Sequence, residues 1–175
     1  MRNLEAKFHL ADLDAARATA LALGYAPRAS FIQHDTFFAV AQGKLKLREQ
    51  PPDAWLIHYA RTRESALMLS HYEIVPVVEA GRVRAMLARA LGIIAEVRKN
   101  RTLLMRHNVR LHLDRVEGLG RFGEIEAVLD DSAQSAEQDA ARAAAEELLG
   151  ALRIEAIELI DVSYFELMAR GDAGR

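Results

Sequence analysis

The sequence predicts an α+β protein built on an eight-stranded antiparallel β-barrel, a tunnel with a charged lumen and external helices. The first indication is charge at every second residue, as in Arg110–Asp114 and Glu124–Glu126, because residues two apart share one face of a strand. Asn3–Lys7 and Lys44–Arg48 repeat the pattern. The second indication is that short polar or glycine-containing links join several of these segments, which favours antiparallel meanders. Charged faces this dense and mixed in sign are more typical of a polar lumen than of the solvent side of an open sheet.

Eight segments have the alternation expected of strands. Turn residues separate several of them, at Gln42-Gly43 and Gly118-Leu119-Gly120, and His107-Asn108 has the length of a tight hairpin turn. The predicted strands are Arg2–Leu10, Phe31–Val40, Lys44–Gln50, Trp55–Arg63, His71–Val77, Ala95–His107, Asn108–Val116 and Arg121–Leu129.

Four helices interrupt the strands. The longer ones are rich in alanine or carry apolar residues at helical spacing, and a glycine follows each of them as a stop. Ser-x-x-Gln and Ser-x-x-Glu spacings predict capping boxes for the last two helices. The predicted helices are Asp12–Leu23 before Gly24, Glu79–Leu91 before Gly92, the stretch from the cap Ser135 with Gln138 to Leu149 before Gly150, and a short helix from the cap Ser163 with Glu166 through Met168.

Length and composition are those of one globular domain. The chain has 175 residues, of which 51% are hydrophobic and 27% charged, enough for one substantial core. We assign residues 1–170 to a single domain and expect residues 171–175 to form a frayed tail. The net charge of -2 gives no basic field for nucleic acid. The lack of cysteine excludes disulfides, thiolate metal sites and cysteine nucleophiles.

The start of the chain and its hydropathy bear on location. The first residues are charged and lack the apolar stretch of a signal peptide. No apolar run reaches the roughly 18 residues that a membrane-spanning helix needs. We therefore expect a cytoplasmic protein without a membrane partner.

The charged faces of the predicted strands would meet in the lumen. Arginine and lysine bind phosphate oxygens, and carboxylates beside phosphate are suited to hold Mg²⁺ or Mn²⁺. Any one of these charges alone is typical of a surface residue, but their recurrence on one face of several strands predicts a cavity for a polyanion bound with metal ions. The lumen residues are Glu5, Lys7, Lys46, Arg48, with Lys44 as a less regular member, Arg61, Lys99, Arg101, Arg110, Asp114, Glu124 and Glu126.

Histidine and aromatic residues give weaker signals. His112 shares a strand face with Arg110 and Asp114, which directs it to the lumen, although a structural or surface role is the favoured interpretation for every histidine. Core packing is likewise favoured for Tyr164 and Tyr59, and for Trp55, over contact with a ligand.

These residues resemble the CYTH family, the triphosphate tunnel metalloenzymes, which includes class IV adenylyl cyclases, thiamine triphosphatases and inorganic triphosphatases. The family fold is an eight-stranded antiparallel tunnel. Its Glu-x-Glu-x-Lys signature is matched by Asn3–Lys7, and the most specific match is the block Val109–Val128, which looks closest to the class IV cyclase branch. Further matching segments are Asp35–Phe38, Lys44–Glu49, Leu56–Arg61 and Val97–Arg101.

The resemblance implies a role for each matching residue. Glu5, Glu124 and Glu126 would bind the metal, and Asp114 would be a further ligand or an orienting carboxylate; together they form the implied catalytic set. The residues implied to bind triphosphate are Lys7, Lys46, Arg48, Arg61, Arg101, Arg110 and, as a weaker candidate, Lys99.

The chain departs from the family pattern at two places. Asn3 stands where the first signature glutamate is expected, so one negative charge is missing from the metal site. Ser163–Phe165 stands in the C-terminal helix, where some triphosphatases carry a tunnel lysine, which disfavours that activity.

Three activities are open at this point. The first is a class IV cyclase-like conversion of ATP to cyclic AMP and pyrophosphate with Mg²⁺ or Mn²⁺. The second is hydrolysis of an inorganic or organic triphosphate. The third is a module that binds a nucleotide or polyphosphate without turnover, an alternative that Asn3 supports. The class IV relatives also suggest a homodimer.

Overall fold

The computed structural model describes residues 2–64, 67–129 and 135–169, with side chains described over residues 5–60, 71–127 and 139–168. The described part contains eight strands, four α-helices and one short 3₁₀ helix, Ala156–Glu158. The strands are β1 Arg2–His9, β2 Ala26–Phe38, β3 Lys44–Gln50, β4 Asp53–Glu64, β5 Leu67–Pro76, β6 Ile93–Arg106, β7 Val109–Val116 and β8 Gly120–Leu129. The helices are α1 Leu13–Ala22, α2 Ala80–Leu91, α3 Ser135–Ala151 and α4 Tyr164–Ala169.

The strands close into a barrel in the order β1-β5-β4-β3-β2-β6-β7-β8. All neighbouring pairs are antiparallel, and the pairing of β1 with β8 closes the sheet. This register places Glu5 opposite Glu126 and Lys7 opposite Glu124. The predicted α+β fold with eight antiparallel strands is confirmed.

Several element boundaries differ from the prediction. β2 begins at Ala26 because pairing with β6 continues there, although Ala26–Ser30 has no alternating apolar pattern. α3 runs through Gly150 to Ala151, so the predicted stop at Gly150 is wrong. The left-handed residue in this region is Arg153, with φ of 59°. The capping-box side chains of Ser135 and Gln138 and the tail 171–175 lie outside the described residues.

The main apolar core lies outside the barrel, because the inner face carries the charges. Outward residues of β1, β7 and β8, including Phe8, Leu111 and Ile125, pack against α1 and α3. The two helices contribute mostly alanine to this contact, and small side chains allow a helix to approach the sheet closely. The helix residues buried in this cluster are Ala16, Ala20, Ala141, Ala145 and Leu148.

A second apolar cluster lies inside one end of the barrel. Phe37, Val97 and Phe122 point inward there, and Tyr164 and Leu167 of α4 pack against them. The segment before α4 is joined to β1 by a hydrogen bond from its backbone at residue 160 to the carbonyl of residue 7. The C-terminal segment therefore closes the end at which β1 and β2 finish. None of the helices in the described part of the chain is both long and apolar enough to cross a membrane.

The seam between β1 and β8 yields a test of barrel closure. Phe8 lies opposite Gly123 and is fully buried, and a Cβ added at Gly123 would overlap its ring. We expect Gly123→Ala to lower the free energy of unfolding by about 1–3 kcal/mol, because the overlap forces Phe8 or the strand to shift. Chemical denaturation measures the effect. Gly150→Ala is the control: nothing lies within 4 Å of its Cβ, and alanine in a helix should stabilise by about 0.5–1 kcal/mol. Equal effects at the two positions would contradict tight packing at the seam.

Candidate functional site

A cavity of about 180 Å³ lies in the barrel, enough for several water molecules. Its walls carry most of the residues predicted for the lumen. Lys44 is not among them; it pairs with Glu166 at 2.6 Å near the closed end. The side chain of Arg61, on β4, lies outside the described part. The predicted site residues that line the cavity are Glu5, Lys7, Lys46, Arg48, Lys99, Arg101, Arg110, Glu124 and Glu126.

Three carboxylates gather on the β1–β8 side of the cavity. Oxygen atoms of Glu5, Glu124 and Glu126 all lie within 4.8 Å of one another. The register explains the cluster: Glu5 is the direct partner of Glu126, and Glu124 shares a strand face with Glu126. Carboxylate oxygens at this spacing are the donor set that Mg²⁺ and Mn²⁺ prefer, so these residues fit a divalent cation.

Basic neighbours keep two carboxylates of the acidic cluster, Glu124 and Glu126, ionised. Burial raises the pKa of Glu124, but the charges of Lys7, Arg101 and Lys99 outweigh it and hold the pKa well below the usual value. Burial also acts against ionisation of Glu126. There the interaction with His112, whose Nε2 lies 3.1 Å from Glu126 Oε2, prevails and lowers the pKa to about 2. Both carboxylates are therefore charged at neutral pH.

An aspartate holds each of two arginines in the lumen. Asp114 accepts two hydrogen bonds from Arg101, at 2.7 and 2.6 Å, and Asp35 accepts two from Arg48, also at 2.7 and 2.6 Å. Two parallel bonds fix the plane of a guanidinium group. Both arginines are thus held in place by the protein itself.

Asp114 lies behind the cavity wall and is completely buried. Its oxygens accept hydrogen bonds from Arg101 and from the Tyr164 hydroxyl at 2.9 Å, and Lys99 Nζ lies 3.6 Å away. The carboxylate cluster at the β1–β8 seam does not include it. Of the two roles implied for Asp114, this geometry favours the orienting one.

Two residues of the site were missed by the sequence analysis. Asp35 was part of a matching segment, but nothing in that segment alone assigned it a partner. Tyr164 was assigned to core packing; it does pack against Phe122, yet it also lines the cavity. Lys7 Nζ lies 4.5 Å from the centre of its ring and Lys99 Nζ 5.0 Å, distances at which a cation is attracted to an aromatic face.

The other aromatic and histidine predictions have mixed outcomes. Tyr59 lines the cavity as well as packing in the inner cluster. Trp55 packs against that cluster, as favoured. His112 is buried beside Glu126, on the lumen face that its strand position indicated.

Comparison with known proteins agrees with this geometry. A model of the CYTH domain matches residues 1–164. Among solved structures, a protein from Pyrococcus horikoshii OT3 is similar, with 18% sequence identity and a TM-score of 0.79 over 94% of this chain and 98% of that one. A candidate adenylate cyclase from Vibrio parahaemolyticus has 18% identity and a TM-score of 0.75 over 95% of this chain and 97% of its own. A candidate adenylyl cyclase from Hippeastrum, described as having a dominant triphosphatase activity, has 17% identity and a TM-score of 0.65 over 97% of this chain and 96% of its own. At these identities the similarity shows the fold. No curated protein matches the sequence significantly.

The burial of Asp114 leads to a stability prediction. Burial raises its pKa, but Arg101 and Lys99 outweigh this and hold the pKa below the usual 3.8. We expect Asp114→Asn to lower the free energy of unfolding at pH 7 by about 3–5 kcal/mol, because Arg101 and Lys99 lose a buried partner. The contribution of an aspartate with a lowered pKa is present above the unfolded-state pKa and lost on acidification. The difference in the free energy of unfolding between the variant and the wild type should therefore become smaller below about pH 4.

Urea unfolding at pH 7 and at pH 3.5 measures both effects. The control is Asp139→Asn on the exposed face of α3, which should stay within about 0.5 kcal/mol of wild type. A difference for Asp114→Asn that does not depend on pH would contradict the role of its charge.

Proposed function

The chain belongs to the CYTH domain family, and on that premise we propose that it is a metal-dependent enzyme acting on the triphosphate of a nucleotide, converting ATP to cyclic AMP and pyrophosphate. The observation that supports this most is the meeting of an acidic cluster and a set of arginines and lysines in one cavity. Neither half alone is suited to a metal–triphosphate complex, which carries both cations and phosphate oxygens.

The cations would bind the β and γ phosphates. Arginine has five N–H donors, and the aspartate behind each of Arg48 and Arg101 uses only two of them. Arg101 gives a further hydrogen bond to Glu124. The donors that remain on the two arginines suit phosphate oxygens, and Lys46 and Lys99 add positive charge beside them. In a buried cavity these groups would stabilise the charge that develops on the pyrophosphate leaving group. We add Lys7, Arg110 and Arg61 to the proposed phosphate-binding residues because they match basic positions of the CYTH family.

Glu5, Glu124 and Glu126 would hold the Mg²⁺ or Mn²⁺ ion. A divalent cation supplies neutralisation of phosphate charge and acidification of an attacking hydroxyl group. Asp114 would act through Arg101, by keeping its guanidinium plane fixed. The barrel walls and α4 would keep bulk water away from the α phosphate, so that the ribose 3′-hydroxyl attacks in preference to water.

Triphosphate hydrolysis is the second candidate. The same lining would then position a water molecule at the γ phosphate, and the dominant triphosphatase activity described for the Hippeastrum protein of the same fold favours it. The third candidate, binding without turnover, rests on Asn3, which brings no charge to the metal site.

Product analysis separates the candidates. The protein is incubated with ATP and, in parallel, with inorganic triphosphate, each with Mg²⁺ or Mn²⁺, and all products are resolved. Cyclic AMP with pyrophosphate supports the cyclase. Orthophosphate, chiefly from inorganic triphosphate, would move the assignment to hydrolysis. Binding without either product would leave a non-catalytic module.

Neutralising the acidic cluster tests the metal site. In the variant Glu124→Gln/Glu126→Gln we expect metal-dependent turnover to fall more than about 100-fold, since two charged ligands are lost together. Initial rates are measured across a Mg²⁺ or Mn²⁺ titration. Glu146→Gln, on the exposed side of α3, is the control and should keep the wild-type rate. A thermal unfolding scan without metal confirms that the double variant is folded, and unchanged turnover in it would rule out this site.

A further inference from the structure

Asp35 places a carboxylate on a wall that otherwise presents cations and apolar side chains. It lies on β2, lines the cavity and is only 2% exposed. It does not belong to the carboxylate cluster of Glu5, Glu124 and Glu126. A negative charge facing a polyanion weakens binding by repulsion, so a carboxylate here requires an offsetting benefit.

The contacts of Asp35 show where that benefit lies. Asp35 is the direct cross-strand partner of Arg48 and accepts its two parallel hydrogen bonds. Lys46 Nζ donates to Asp35 Oδ2 at 3.0 Å and lies 5.5 Å from the ring centres of Phe37 and Tyr59. The Asp35 carboxylate thus binds the charged groups of two side chains that are two residues apart on β3.

The same arrangement recurs on the neighbouring strands β6 and β7. Lys99 and Arg101 repeat the Lys-x-Arg spacing, and Asp114 is the direct cross-strand partner of Arg101. The arginine–aspartate distances are the same in both units. Because β2 pairs with β6, the two units stand side by side on one wall. Repetition of lysine, arginine and cross-strand aspartate argues for a common purpose.

We propose that Asp35 is a positioning residue for triphosphate, which it serves by holding Lys46 and Arg48 together as one cationic unit on the wall of β2 and β3. The inference rests on the proposed binding of triphosphate in the lumen. It extends that proposal to a carboxylate that neither ligates the metal nor contacts phosphate.

Asp35 also opposes the loss of charge from Lys46. The pKa of Lys46 is lowered to about 7: burial lowers it most, Arg48 on the same strand and Lys99 on β6 also lower it, and Asp35 raises it. The rings of Phe37 and Tyr59 complete its surroundings. Without the Asp35 charge, the pKa of Lys46 falls further, so Lys46 becomes neutral at a lower pH and attracts phosphate less.

The test measures binding of inorganic triphosphate in metal-free buffer with a chelator, by titration calorimetry between pH 6 and 8.5. We expect Asp35→Asn to raise Kd at pH 7 by about tenfold or more, and to move the alkaline loss of affinity about one pH unit lower. Asp139→Asn is the matched control and should bind like wild type. Lys46→Met and the double variant Asp35→Asn/Lys46→Met complete a double-mutant cycle. The increase in Kd for the double variant should be smaller than the product of the increases for the two single variants.

Asp35→Glu keeps the proposal testable if the asparagine variant does not fold. It retains the charge but displaces the carboxylate by one methylene, so we expect weaker binding with a nearly unchanged pH midpoint. Wild-type affinity and pH profile in the Asp35 variants, or fully additive effects in the cycle, would overturn the positioning role alone. Absence of triphosphate binding in the wild type, both in this buffer and with Mg²⁺ added, would instead overturn the proposed function, and this inference with it.

Discussion

The buried charges described inside the barrel lie beside opposite charges from other strands. An unpaired buried ion costs several kcal/mol even after relaxation. The structure meets this constraint across strands: Asp35 pairs with Arg48, Asp114 with Arg101, and Glu124 with both Arg101 and Lys7. Because a shift of one residue would turn every charged side chain of a strand to the other face, these pairs and the apolar outer face specify the same register.

The pairing of charges in the lumen determines where the rest of the core must lie. With the inner face polar over the middle of the barrel, the apolar faces of β1, β7 and β8 are covered from outside by α1 and α3. At one end the inner face becomes apolar, and α4 packs there. Tyr164 stands at the boundary, with its ring in the apolar cluster and its hydroxyl on Asp114. The C-terminal helix is thereby tied to the charged site as well as to the core.

The strand pattern was predictable from the sequence because alternation is local: the count of strands, their inner faces and most lumen residues follow from it. The partner of Asp35 and the end of α3 were not predictable. The partner of Asp35 depends on the register between β2 and β3, which places Asp35 directly opposite Arg48 and which alternation within one strand does not specify. Asp35 is also the single charge on the inner face of β2, so its strand lacks the repeated signal that marked Glu124 and Glu126. Gly150 misled the helix prediction because packing of α3 outweighs the modest cost of an interior glycine.

Glu124 connects the two halves of the proposed site. It belongs to the acidic cluster, yet it also lies 2.5 Å from Arg101 Nη2 and 3.6 Å from Lys7 Nζ. A metal ion held by the cluster would therefore compete with these two side chains for the same carboxylate. If Glu124 helped to hold a metal ion, Arg101 and Lys7 would be left to interact with phosphate oxygens. Metal and triphosphate would then favour each other's binding, and by linkage the coupling free energy is the same in both directions. The carboxylates of the proposed site would thus neutralise its cations before triphosphate binds, and triphosphate would do so afterwards.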